Sequence, residues 1–273
     1  MKLCFTTFAC PNWSLREIIR MAAKHRYQGI ELRIDAGHAH GVEVWSSVVE
    51  RKKFREHIEK ADLSVACIAT SLQFLVEGIG EQALDRIKLA SEVGAPGIRV
   101  FFGELPEGMM SMDEAMDRVV RQLRDVCEAA RMYETEIWLE THDTISRGAD
   151  AAAVVRAVDR PSIGVCYNNL HPIRRGEPLD ATIAHLAPMI RHVHLHDGLS
   201  IPDKVIITPV GNGEMPMDDT MLALINSGYT GFLSGEWFHN QYGDTPNDAV
   251  ELYSHEMHML THRHGVAMGL ARD

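Results

Sequence analysis

Long hydrophobic runs are missing from this chain. No stretch approaches the roughly 18 uncharged apolar residues that a membrane span needs, so no membrane partner is expected. Basic charge is short as well: 27 Lys and Arg face 38 Asp and Glu, a formal net charge of −11 with histidine neutral. A phosphate-backbone partner requires clustered cations that release counterions. The short runs Arg51-Lys52-Lys53 and Arg174-Arg175 do not supply them, so no nucleic-acid partner is expected. Cysteines number five (Cys4, Cys10, Cys67, Cys127, Cys166), an odd count without CxxC spacing. Cys4, Cys67 and Cys166 fall in apolar runs and read as small buried hydrophobes, and a reducing cytoplasm is the simplest setting. The opening MKLCFTTFACPNW has one Lys and is soon interrupted by Pro11, so it reads as a first strand and not as a signal peptide. No linker, low-complexity tract or composition shift divides residues 1–273, which predicts a single domain.

What is present is alternation. Short β-rich runs occur at 3–8, 29–34, 64–69, 97–102, 136–141, 163–168, 192–197 and 231–237. Between them lie segments of helical periodicity such as LREIIRMAAKH, ALDRIKLASEVG, AMDRVVRQLRDVCEAARMY and TMLALINSGY. One strand–helix unit per roughly 34 residues, repeated eight times, is the pattern of a (β/α)8 TIM barrel. Ser14 with Glu17 and Ser111 with Glu114 read as capping boxes, and Thr245-Pro246 as an N-cap with proline at the first helical position. Gly94 and Gly228 stand where helices end. In such a barrel, chemistry sits where strands end and the following loops begin.

Those positions hold ionisable residues. The fifth strand closes on Trp138-Leu139-Glu140-Thr141-His142, and Glu140 and His142, two apart, share one side. A carboxylate inside an apolar run is costly unless paired or metal-bound. The sixth strand ends Asn168-Asn169-Leu170-His171, and the seventh carries His192, His194 and His196 in alternation. Three imidazoles on one face each need a polar partner, yet a strand rises over ~6 Å between same-face residues, so not all three can ligate one ion. The eighth ends Ser234-Gly235-Glu236-Trp237.

The series LETH, N-x-x-H, HVHLHDG, PVGNGE and GFLSGEW resembles the sugar phosphate isomerase/epimerase family, the xylose-isomerase-like barrels, across essentially the whole chain. That family places E-x-H, D-x-x-H, H-x-K-D, P-x-G-x-G and G-x-E in this order. The resemblance implies one divalent ion (Mn, Mg, Co or Zn) held by Glu140, the Asn168 position, His194 and Glu236. His171 would bind a substrate hydroxyl, and Glu140 and Glu236 would double as the acid/base pair. Two departures stand out. Asn168 replaces a usual aspartate, offering an amide oxygen without charge, which leaves Asn169 or water as other occupants. His196 replaces a usual lysine, making a permanent cation titratable.

An ion chelating a carbonyl and an adjacent hydroxyl acidifies the C–H between them, and carboxylates on opposite sides can remove and return the proton. The expected activity is therefore isomerisation or epimerisation of a keto sugar or inosose-type polyol. A metal-dependent lyase or dehydratase on a keto sugar, keto-inositol, dehydroshikimate or 3-keto-glycoside is the alternative, with His142 and His196 as substrate-contacting acids. An endonuclease IV-like phosphodiesterase would need more His/Asp ligands, and a metal-stabilised binding protein sits poorly with Glu140, His194 and Glu236 together. Weaker signals have two readings each. Trp13 walls the pocket or staples the first helix, and His38 with His40 contacts substrate or forms a solvated turn. Met109, Met110 and Met112 form an apolar lid or ordinary loop packing. Gly211-Asn212-Gly213 reads as a turn. Glu31 and Arg33 face the barrel interior or the substrate, and the role of Arg99 stays open. His255, His258, His262 and His264 read as a helix face or a contact between copies of the chain, so homo-oligomerisation is left open.

Overall fold

The computed structural model describes residues 1–105, 107–108, 110–201 and 204–266. Met109, read as part of an apolar lid or of ordinary loop packing, lies outside them. Six strand–helix units and a seventh strand follow in order: β1 (Lys2–Phe5), α1 (Leu15–Lys24), β2 (Gly29–Arg33), α2 (Val48–Lys60), β3 (Ser64–Gln73), α3 (Gly80–Val93), β4 (Gly97–Phe101), α4 (Met112–Met132), β5 (Glu136–Glu140), α5 (Gly148–Val158), β6 (Ile163–Asn168), the short α6 (Leu170–Arg174), α7 (Leu179–Leu186) and β7 (Ile190–His194). A hairpin, β8 (Asp197–Ile201) and β9 (Lys204–Thr208), then precedes α8 (Met217–Asn226), β10 (Phe232–Gly235), the short α9 (His239–Tyr242) and α10 (Pro246–Arg263). The eight barrel strands pair in the order β1-β10-β7-β6-β5-β4-β3-β2, all parallel. A single bridge, Thr6 to Glu31, joins the outer two, β1 and β2, so the (β/α)8 barrel is nearly closed.

The expected punctuation forms. Ser14 with Glu17, Ser111 with Glu114 and Thr245 with Asp248 are complete capping boxes, and Ser47 with Glu50 is a fourth. Gly94 closes α3 at φ 79°, in the left-handed region that costs glycine nothing. β6 is buried along its whole length, as a parallel strand covered on both faces must be. All five cysteines are free and buried. Among the described residues no helix is long and apolar enough to cross a membrane.

Two elements differ from the sequence-based expectation. β7 starts at Ile190 and ends at His194, earlier than the predicted 192–197, so His196 lies past the strand. Asp197 does not end a barrel strand; it opens the antiparallel hairpin, in which Asp197 pairs with Thr208. The loop 210–215 then wraps this carboxylate. Gly211 N and Gly213 N donate to Asp197 Oδ2 (2.8 and 3.1 Å), and Met215 N to Oδ1 (3.1 Å). A Cβ on Gly213 would lie 2.1 Å from Asp197 Oδ1, which is why the turn needs glycine there.

Candidate active site

Parallel register sets the site. Asn168 pairs with His194, and His194 with Ser234, so the ends of β6, β7 and β10 are level. Glu140 at the end of β5 and Glu236 just past β10 point inward at the same height. His194 lies between them, its Nδ1 at 3.1 Å from Glu140 Oε1 and 3.0 Å from Glu236 Oε2. Its Nε2 is tied to Glu31 Oε1 at 3.0 Å.

Glu31, whose role the sequence left open, is the hub beneath the site. Fully buried on β2, it accepts from His192 Nε2 (2.8 Å), His194 Nε2 and Ser234 Oγ (2.6 Å). Burial alone would raise its pKa, but the charges of His194 and His192 carry it well below the usual carboxylate range. His192 also stacks on Trp138, with ring centroids 5.5 Å apart. His192 and His194 thus face the interior together, and only His194 reaches the strand-end carboxylates. His196, past the strand, lines the cavity above; burial pulls its pKa down to about 4.

Arg99, on β4, is the interior cation of this level. Its guanidinium lies 3.2 Å from Glu140 Oε2 and 3.8 Å from Glu236 Oε1. Against the cost of burial, His194 and then Arg99 hold Glu140 well below the usual carboxylate range, and His194 lowers Glu236 against burial and the charge of Glu140. Both glutamates are therefore ionised. They differ in access: the Glu140 side chain is 1% exposed, whereas that of Glu236 is 20% exposed and lines the cavity.

Asn168 departs from the ligand geometry expected for it. Its Nδ2 donates to Glu140 Oε1 (2.9 Å) and Glu236 Oε2 (3.2 Å), while Oδ1 accepts from Leu170 N (3.3 Å). The amide presents its donor to the carboxylates, and a ligand role requires it to turn over. Asn169 clasps the chain after β7, donating to His196 O (3.0 Å) and accepting from His196 N (3.1 Å), and is spent on that role.

The donor set suits a divalent cation. One ligand atom from each of Glu140, His194 and Glu236 falls within 4.8 Å of the others. Oxygen and imidazole donors are those that Mg, Mn, Co and Zn accept. Glu31 fixes His194 with Nδ1 toward the carboxylates, the outer-shell support that metal-bound histidines ordinarily have. Buried Glu140 Oε2 makes no hydrogen bond of its own. A second trio, Cys4, Glu31 and His192, is equally close, but Glu31 is already spent on two histidines and a serine. Among the described residues the C-terminal histidines form no such group; His258 bonds Ser254 O and His264 pairs with Asp218.

Above this floor opens a cavity of about 550 Å3. His142 and His171 line it with ring centroids 4.4 Å apart, and burial pulls His171 down to about 3. Phe8, Phe238, Val205 and Ile207 supply an apolar wall, the last two from the hairpin that the sequence pattern did not indicate. Asp143, also unforeseen, lines it too; burial pushes its pKa up to about 6 despite the Gly103 N–H it accepts (2.8 Å).

Trp13 and His40 are not brought to this cavity. Trp13 is half-buried and packs on the core beside α1. His40 spends both ring nitrogens on its own loop, with Nε2 at 2.9 Å from Arg33 O and Nδ1 accepting from Val42 N at 3.0 Å. Met110 packs against the core as ordinary loop structure.

Residues 19–262 match the family described as the xylose isomerase-like TIM barrel. The chain is 23% identical over 168 residues to a fructoselysine 3-epimerase of Escherichia coli O157:H7, covering 59% of this chain and 60% of that relative's length. Among solved structures, the IOLI protein with a bound zinc atom superposes at TM-score 0.84, with 18% identity over 96% of this chain and 99% of that one. A probable 3-DHS dehydratase, AsbF, involved in petrobactin synthesis in Bacillus anthracis, superposes at 0.79, with 20% identity over 94% and 99%. At such identity these two likenesses speak to the fold.

Proposed function

This chain belongs to the xylose isomerase-like TIM barrel family, and from that premise we propose that it is a divalent-metal-dependent isomerase or epimerase of keto sugars or inosose-type polyols. The observation that carries the reading is the convergence of Glu140, His194 and Glu236, the last of which lines the cavity. Sugar epimerases, an enzyme class to which the fructoselysine relative belongs, support it. A Mn, Mg, Co or Zn ion held by these three residues, with Asn168 turned over or replaced by water, would supply Lewis acidity to a carbonyl and its neighbouring hydroxyl.

The chain's own residues do the rest. Glu236 reaches the cavity and is held ionised, so it removes the proton between carbonyl and hydroxyl carbon. Glu140 arrives from a strand three places round the sheet and, once it has taken up a proton from solvent, delivers it from another side, while Glu236 gives its own proton up to solvent. Arg99 beside both carboxylates keeps them charged between turnovers. His171, kept neutral by burial, offers a ring nitrogen to substrate hydroxyls beside the His142 ring, and Phe8 and Phe238 help exclude water.

In D2O, a keto sugar or inosose incubated with metal-loaded protein acquires deuterium alpha to its carbonyl, and Glu236→Gln lowers the rate at least ~100-fold. Absence of exchange across ketoses, aldoses and inososes, with metal bound, refutes enediolate chemistry. A lyase reading shares this step and has one observation of its own: His142, His171 and His196 crowd the cavity, placed to hydrogen-bond a leaving hydroxyl while it takes the proton that Glu236 has removed. Loss of water from the product selects it over epimerisation.

A further inference from the structure

Two arginines line the cavity, Arg174 and Arg175, and no step of the proposed reaction uses them. α6 carries His171 and Arg174 three residues apart, and Arg175 follows one later, so all three fall on one side of the turn. All three line the cavity. Arg174 is half-buried and Arg175 exposed, and among the described residues neither guanidinium makes an ion pair. A third arginine gathers here: Arg147 Nη2 donates to Arg175 O at 3.3 Å. The acid nearest in sequence, Glu177, is committed elsewhere, accepting from Gly148 N (2.6 Å), Ala149 N (3.1 Å) and Thr182 Oγ1 (2.7 Å). Arginines without an ion pair at a cavity wall are free to meet an anion.

Taking the enolisation reading as its basis, we propose that Arg174 and Arg175 form a subsite for an anionic group of the substrate, a carboxylate or a phosphate, carried at the end remote from the reacting carbons. The guanidinium fork matches the geometry of either anion. Orientation follows from charge. Glu236 forms the floor, so an anion is repelled from the reacting end and drawn to the α6 wall. Phe8, Val205, Ile207 and Phe238, which also line the cavity, offer no competing cation. Glu104 and Asp143 also line the cavity; Asp143 is engaged by Gly103 N–H, and neither pairs with these arginines among the described residues.

Calorimetric titration with matched ligands tests this: D-fructose against D-fructose 6-phosphate, and 3-dehydroshikimate against its methyl ester. The anionic member of at least one pair binds about tenfold or more tightly to the wild type. Arg174→Ala/Arg175→Ala brings that ratio to within about threefold of unity, and Arg174→Gln, checked by circular dichroism for folding, lowers it part of the way. The pair that shows the preference says which anion is the natural one. A ratio near one for both pairs in the wild type, or a ratio that survives the double substitution, overturns the subsite. Binding is read without turnover, so the two readings fail separately. A charge preference without α-proton exchange sinks enolisation alone, and exchange without charge preference sinks the subsite alone.

Discussion

Asn168 is the position where the site's charge balance is most open to change. As it stands, its amide donates to both glutamates and adds no charge. Asn168→Asp places a third carboxylate against Glu140 and Glu236. The metal-free protein then loses thermal stability from like-charge repulsion, and affinity for Mn or Zn rises by about tenfold or more. Melting curves with and without metal read both effects, and unchanged affinity shows that residue 168 lies outside the ligand set. Asp143 gives a pH signature away from the ligands. Its folded pKa, pushed up to about 6 chiefly by burial, lies above the unfolded value near 3.9. The folded state therefore binds the extra proton, and the stability this gives is full below pH ~4 and lost as pH rises through about 6. Asp143→Asn keeps an acceptor for Gly103 N–H and removes the charge, so at pH 7.5 it raises stability by ~2 kcal/mol, a gain that vanishes at pH 4. Chemical denaturation at the two pH values checks the sign. Glu140, His194 and Glu236 were legible from the sequence because strand ends in a barrel are known places. Glu31 and Arg99 were not, because period-two alternation says which way a side chain faces and nothing about which distant strand it meets.

Elements with local signatures were legible: capping boxes, the glycine at the end of α3, and the eight barrel strands. The β8–β9 hairpin was not, because Asp197-Gly198 reads as the turn after a strand and the alternation that would mark β8 starts on turn residues. The loop that follows depends on a close approach. Gly213→Ala sets a methyl against Asp197 Oδ1 and Gly198 N, and overpacking of this kind costs about 1–3 kcal/mol. The variant melts earlier, and its KM rises more than its kcat falls, because Val205 and Ile207 on the hairpin wall the cavity rather than its floor. Equal kcat and KM effects would place the hairpin's influence on the chemistry instead.

Over the whole molecule, strand order was legible as a fold class, and its weakest joint was not. Glu31→Gln tests that joint together with the site. Losing the carboxylate beneath His194 lowers divalent-metal affinity by about 10–100-fold. Hydrogen exchange followed by mass spectrometry shows faster opening of β1 and β2 in the variant than of β5 and β6, which pair along their length. Uniform exchange across the strands would separate the two roles of the residue.

The bridge Thr6–Glu31 is where the first barrel strand meets the second, and the same residue's side chain fixes the histidine of the proposed metal centre. His194 and Ser234 follow Glu31 by 163 and 203 residues, so its carboxylate is buried with its partners only once the late strands have joined the early ones. A barrel that has not rounded up therefore has no oriented ligand to offer. Barrel closure and orientation of the proposed ligand are thus one event at Glu31, and on the proposed reading an unclosed copy would hold no cation.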